Sequence, residues 1–126
     1  MLAANLDQNP QVIEQLNPFI AFPTLVEVQI DPEVSRLLAN LSPETPWGDR
    51  QMTARRLGSL RNPQALPGML SALPADPFWM VRSAIIQALV MIGDPAAIPT
   101  LQKVAISDGF QVVRSHAAKA VERLSR

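Results

Sequence analysis

Residues 80–101 read Met80-Val81-Arg82-Ser83-Ala84-Ile85-Ile86-Gln87-Ala88-Leu89-Val90-Met91-Ile92-Gly93-Asp94-Pro95-Ala96-Ala97-Ile98-Pro99-Thr100-Leu101. Val81, Ile85, Ala88, Leu89 and Ile92 follow the i, i+4, i+7, i+8, i+11 spacing of one helix face, so this stretch predicts a helix with a buried side. Gly93 tolerates the left-handed backbone that ends a helix, Asp94 suits an N-cap, and Pro95 suits the first turn that follows. A second amphipathic run then carries Ile98, Leu101 and Val104 or Ala105. Two helices joined by so short a turn form a hairpin.

The pattern recurs with a period of 32. Arg50, Arg82 and Arg114 stand 32 apart, as do Leu57, Leu89 and Val121, and Leu60, Ile92 and Leu124. The loop Asn62-Pro63-Gln64-Ala65-Leu66-Pro67 matches Asp94-Pro95-Ala96-Ala97-Ile98-Pro99 position by position, and Trp47 matches Trp79. Core, charge and turn positions share one register, which is the mark of a repeat array. Helix pairs are expected over 32–60, 63–92 and 95–125. Each is too small to cover its own apolar face and must stack on the next.

Glu44, Asp76 and Asp108 each stand six residues before Arg50, Arg82 and Arg114, and Pro67 and Pro99 fall inside the first helix of a pair. This combination resembles the HEAT-repeat family. The phrases 80–89 and 92–101 are most similar to the short HEAT-like repeats of phycobilisome lyases and related cyanobacterial proteins. The resemblance covers about residues 32–125 and implies an all-α fold, a right-handed α-solenoid of about three helix pairs. It also implies that Glu44, Arg50, Asp76, Arg82, Asp108 and Arg114 form a structural ladder from repeat to repeat. The first repeat departs from the pattern. Glu44 replaces Asp, Ser35 replaces proline, and Arg56 occupies the position of Ala88 and Ala120, where packing would occupy it. That repeat is expected to be a capping one.

The 126-residue length suits one domain, which at this size buries roughly two-thirds of the surface of its unfolded chain. A hydrophobic content of 48% with 17% charged residues excludes a disordered chain. Apolar stretches are interrupted well before the roughly 20 residues of a membrane span. The first residues lack the basic and apolar regions of a signal peptide, and the expected location is the cytoplasm. The absence of cysteine excludes disulfides, thiol catalysis and cysteine-ligated metals. Formal charge is zero overall but uneven. Residues 1–49 hold Asp7, Glu14, Glu27, Asp31, Glu33, Glu44 and Asp49 against Arg36 alone, whereas the remainder holds ten Arg or Lys against four acids. A basic C-terminal half would steer an acidic partner.

Residues 1–31 lie outside the repeat and are expected to form an N-terminal arm or cap, with 32–126 as the repeat domain. Pro10, Pro18 and Pro23 divide this segment. A short helix is expected over 10–17, capped by Asn9 and burying Val12, Ile13 and Leu16. Val26, Val28 and Ile30 alternate with Glu27 and Gln29 as in a strand. Two readings follow: pairing of two chains through residues 24–30 as a homodimer, or an irregular arm capping the solenoid.

No residue set indicates catalysis. His116 is the sole histidine, so no metal site or cofactor is expected, and as the counterpart of Ala84 and Met52 it reads as a half-buried helix residue. No phosphate-binding glycine loop or nucleophile motif occurs. The better candidates are positions between the core residues of the second helices: Gln51, Ser83 and Ser115 in one row, Arg55, Gln87 and Lys119 in the next, then Met91 and Arg123. The resemblance implies that these helices line a concave face where a partner would lie. Trp47 and Trp79 suit either a binding hot spot or a cover for the inter-helix loop, and their 32-residue recurrence favours the cover.

The expected function is a protein-binding scaffold or assembly factor whose partner is acidic, or, following the resemblance, a phycobiliprotein. An alternative is a bilin lyase subunit or a phycobilisome chromophore-detachment protein. A third is nucleic-acid binding through Arg50, Arg55, Arg56, Arg61, Arg114, Lys119, Arg123 and Arg126. A sequence pI near 6.6 and the lack of aromatics interleaved with these cations argue against that last reading.

Overall fold

The computed structural model describes residues 29–126. The expected helix over 10–17 lies outside this range, as do residues 24–28 of the expected pairing strand. Gln29 and Ile30 have no regular structure. Six α-helices follow: α1 Pro32–Ala39, α2 Trp47–Leu60, α3 Leu66–Ala75, α4 Trp79–Ile92, α5 Ile98–Ser107 and α6 Gln111–Leu124, with 3-10 turns at Pro63–Ala65 and Pro95–Ala97. The architecture is an all-α solenoid of helix pairs with no strand among the described residues.

The turns explain the pairing. Gly93 ends α4 at φ 79°, and its counterpart one repeat earlier, Arg61, adopts φ 52° without being glycine. Asn62 and Asp94 then accept hydrogen bonds from the Gln64 and Ala96 amides, both at 2.9 Å, capping the following turn. That turn is 3-10 rather than the α-helical start the sequence suggests. Its cause is the proline pair: the ring of Pro67 or Pro99 would clash with the carbonyl of Pro63 or Pro95 four residues earlier in a continuous α-helix. In the first repeat Ser35 replaces the second proline, and α1 runs unbroken from Pro32, with the Ser35 amide bonded to the Asp31 carbonyl at 2.9 Å. That helix stops early, after Ala39. Pro43 disfavours helical backbone at Ser42, and turns fill the chain to Pro46.

One apolar core runs through all the repeats. Leu57, Met69, Leu73, Val81, Ile85, Ile86, Leu89, Leu101 and Val113 are fully buried within it, each contributing about 1.5–3 kcal/mol by leaving water. The second helices α2, α4 and α6 pack against one another in sequence, α2 on α4 and α4 on α6, whereas α1 meets the next repeat mainly at its 3-10 turn. Gly58 sets one approach: a β-carbon there would come within 2.8 Å of both Cα and Cβ of Ala88.

At the first repeat, Arg56 is exposed and not held by packing. Its Nε and Nη2 donate to Glu33 Oε2 at 3.0 and 2.9 Å, strapping α2 to α1. Gln64 holds the incoming chain, accepting from the Asp31 amide at 2.7 Å and donating to the Gln29 carbonyl at 3.0 Å. Among the described residues, no helix is long and apolar enough to cross a membrane.

Candidate concave binding face

The arginines at the start of the second helices are committed to stacking. Arg50 Nε and Nη2 donate to the two carboxylate oxygens of Asp76 at 2.8 and 3.1 Å, and Arg82 does the same to Asp108 at 2.7 and 3.0 Å. Each arginine also reaches back into its own repeat. Arg82 Nη1 donates to the Asp76 carbonyl at 2.9 Å and Arg114 Nη1 to the Asp108 carbonyl at 2.6 Å. Arg50 does so to the Pro43 carbonyl at 3.4 Å and to the Thr45 carbonyl. The carboxylates have a second task, since Asp76 and Asp108 accept from the Phe78 and Phe110 amides at 2.9 Å and so fix the turn before each second helix.

Burial raises the Asp108 pKa. The hydrogen bonds from Arg82 and the Phe110 amide, with the charges of Arg82 and Arg114, outweigh that effect and hold the carboxyl below its ordinary value. Glu44 departs from the ladder in which the sequence places it. It is exposed and accepts from the Ser42 hydroxyl, which lowers its pKa, and it pairs with no arginine among the described residues. The direction of the links explains this: each arginine binds the carboxylate of the following repeat, and Glu44 belongs to the first.

The tryptophans cover loops. Trp47 packs on Phe78 with ring centroids 4.4 Å apart, and Trp79 stacks on Phe110 at 5.9 Å. The Arg82 guanidinium lies 5.8 Å from the same Phe110 ring. Each phenylalanine precedes the second helix of the following repeat, so these contacts seal adjacent repeats. Phe78 and Phe110 are themselves 32 apart, a signal that Pro46 in the first repeat interrupts.

The remaining positions of the second helices line three shallow grooves. Between α2 and α4, a groove of about 200 Å³ is bounded by Gln51, Arg55, Trp79, Ser83 and Gln87 among others. Between α4 and α6, one of about 320 Å³ is bounded by Ile86, Gln87, Val90, Met91, His116, Lys119, Ala120 and Arg123. A third, of about 370 Å³, lies along α6 at Gln111, Val112, Ser115, His116 and Lys119. Arg55, Gln87, Met91, Ser115, Lys119 and Arg123 are exposed, and Gln51 is half-buried. Ser83 corrects the expectation of an open row: it is only 7% exposed, and its hydroxyl lies 2.5 Å from Nδ1 of the half-buried His116. Among the described residues, no group of three or more His, Asp or Glu side chains is gathered as a metal would require.

Stacked helix pairs, arginine–aspartate links between them and a layer of second helices packed in sequence define a repeat protein of the α-solenoid class. A family model described as HEAT repeats matches residues 34–122, and the chain belongs to the HEAT-repeat family. No curated protein matches the sequence.

Proposed function

We propose that the chain is a protein-binding scaffold or assembly factor whose partner lies along the inner face, over Gln51, Arg55, Gln87, Met91, Ser115, Lys119 and Arg123. The observation that carries this reading is the division of labour among the second-helix side chains. Those that recur most regularly, Arg50, Arg82, Trp47 and Trp79, are engaged between repeats, while the irregular ones line a series of open grooves, the first of which Trp79 also borders. HEAT repeats generally mediate protein–protein interaction, which supports the same conclusion.

The mechanism is preorganisation. Repeat stacking fixes the helices before the partner arrives, so association orders little of the backbone. Replacing Arg55, Gln87 and Lys119 together by Glu abolishes partner capture in a pull-down and leaves helicity and melting unchanged. Undiminished capture by this triple variant overturns the assignment of the face. The setting we propose is the cytoplasm. A phycobiliprotein partner, with the chain as a bilin lyase subunit or chromophore-detachment factor, rests on the resemblance of residues 80–101 alone. Coexpression with a bilin source and a phycobiliprotein tests it, and unchanged chromophore content rejects it.

A further inference from the structure

We infer that the groove between α4 and α6 seats an amphipathic helix of the partner, its apolar ridge against the floor and its flanking carboxylates on the rim. This rests on the scaffold reading above and specifies the chemistry of the occupant. The floor is apolar: its accessible surface is the half-buried Val90 and the 38% exposed Met91 of α4, with Ile86 buried beneath them. The opposite wall is one row of α6, His116, Lys119, Ala120 and Arg123. Seven residues separate its ends, about 10 Å or two helical turns at 1.5 Å per residue. A groove of that form, open along its length, suits a helix laid in it rather than an enclosed small molecule.

The charges select the sign of the occupant. Among the described residues, Arg36 and Arg56 pair with Glu33, Arg50 with Asp76, Arg82 with Asp108 and Arg126 with Glu122. Arg55, Lys119 and Arg123 make no ion pair, and all three line the grooves, where no carboxylate is found. Arg61, Lys103 and Arg114 are also outside any ion pair, but none of them borders a groove and Arg114 is engaged with the Asp108 carbonyl, so Lys119 and Arg123 are the unpaired cations that face the groove between α4 and α6. His116 stands on the same wall, its Nδ1 hydrogen-bonded to the Ser83 hydroxyl. Nucleic acid would also satisfy these cations, but the apolar floor offers phosphates nothing, and the nearby aromatic rings of Trp79 and Phe110 are stacked on each other.

The test is a titration of the full isotope-labelled chain with a synthetic amphipathic peptide of about 16 residues, leucines at helical spacing and glutamates on both flanks. The expected result is amide shift changes centred on Val90, Met91, His116, Lys119, Ala120 and Arg123. Affinity is expected to fall about tenfold or more in Lys119→Glu/Arg123→Glu, and also with added salt. A counter-probe with lysines in place of the glutamates is expected to bind at least about tenfold more weakly. The inference is overturned by absence of shifts at these amides, by equal binding of the counter-probe, or by duplex or single-stranded DNA producing the same shifts more strongly. Should the probe fail while the Arg55→Glu/Gln87→Glu/Lys119→Glu chain still loses its partner, this inference falls and the scaffold reading stands. If partner capture is indifferent to that variant, the scaffold reading falls too.

Discussion

Arg82 grips Asp108 of the following repeat through two parallel hydrogen bonds of 2.7 and 3.0 Å, both side chains being about nine-tenths buried. The geometry is that of a fork on a carboxylate, the strongest form of such a pair. The Arg50–Asp76 link repeats it at still greater burial. These pairs fix how one repeat sits on the next, and so set the spacing of the second helices that line the grooves.

Breaking one partner is therefore expected to cost far more than replacing both. Asp76→Ala strands the Arg50 charge in the core and lowers unfolding free energy by about 3–5 kcal/mol. The double variant Arg50→Met/Asp76→Leu regains most of this, leaving about 1–2 kcal/mol for the uncapped Phe78 amide. Urea unfolding of the single and double variants measures the difference.

Acid should weaken the same ladder. The Asp108 pKa is depressed in the folded chain, so its stabilisation is fully present above the unfolded value of about 3.9 and is lost as pH falls through the folded value. Wild type and Asp108→Asn compared by urea unfolding from neutral pH downward test this. The advantage of wild type is constant down to the unfolded pKa and shrinks below it.

Gly58 offers a contest between two effects of known sign. Alanine gains about 1 kcal/mol of helix propensity, but its β-carbon meets Ala88 at 2.8 Å, and overpacking of that kind costs about 1–3 kcal/mol. We expect a net loss in Gly58→Ala, read as a lower thermal midpoint. A rise in midpoint would show that α2 and α4 separate freely.

Arg61 occupies the left-handed position that Gly93 fills one repeat later. Arg61→Gly relieves roughly 1–2 kcal/mol of backbone strain and returns part of it to the entropy of the unfolded chain. The expected gain is about 0.5–1 kcal/mol, seen as a higher urea midpoint.

Most of the fold was legible because stacking repeats the same demand every 32 residues. Arg82, Leu89, Pro95 and Pro99 each announce their role by recurrence. The direction of the ladder was not legible, since spacing alone does not say whether an arginine binds the carboxylate of its own repeat or of the following one. Glu44 was misplaced for that reason. The Ser83–His116 contact has no sequence signal because the two stand 33 rather than 32 apart: it joins a second-helix position in one repeat to the neighbouring position of the register in the next. The 3-10 turns followed from proline pairs whose local clash hydrophobic spacing does not register.

The proposed role of the irregular second-helix residues is to hold a protein partner. Its most direct measurement is the affinity of an identified partner for wild type, for Arg55→Glu/Gln87→Glu/Lys119→Glu, and for a control altered on the exposed surface of α5, Gln102→Glu/Lys103→Glu. Affinity is expected to fall by about a hundredfold or more in the Arg55→Glu/Gln87→Glu/Lys119→Glu variant and to stay within about twofold in the control. Equal affinity of all three, or a loss confined to the α5 control, would contradict it.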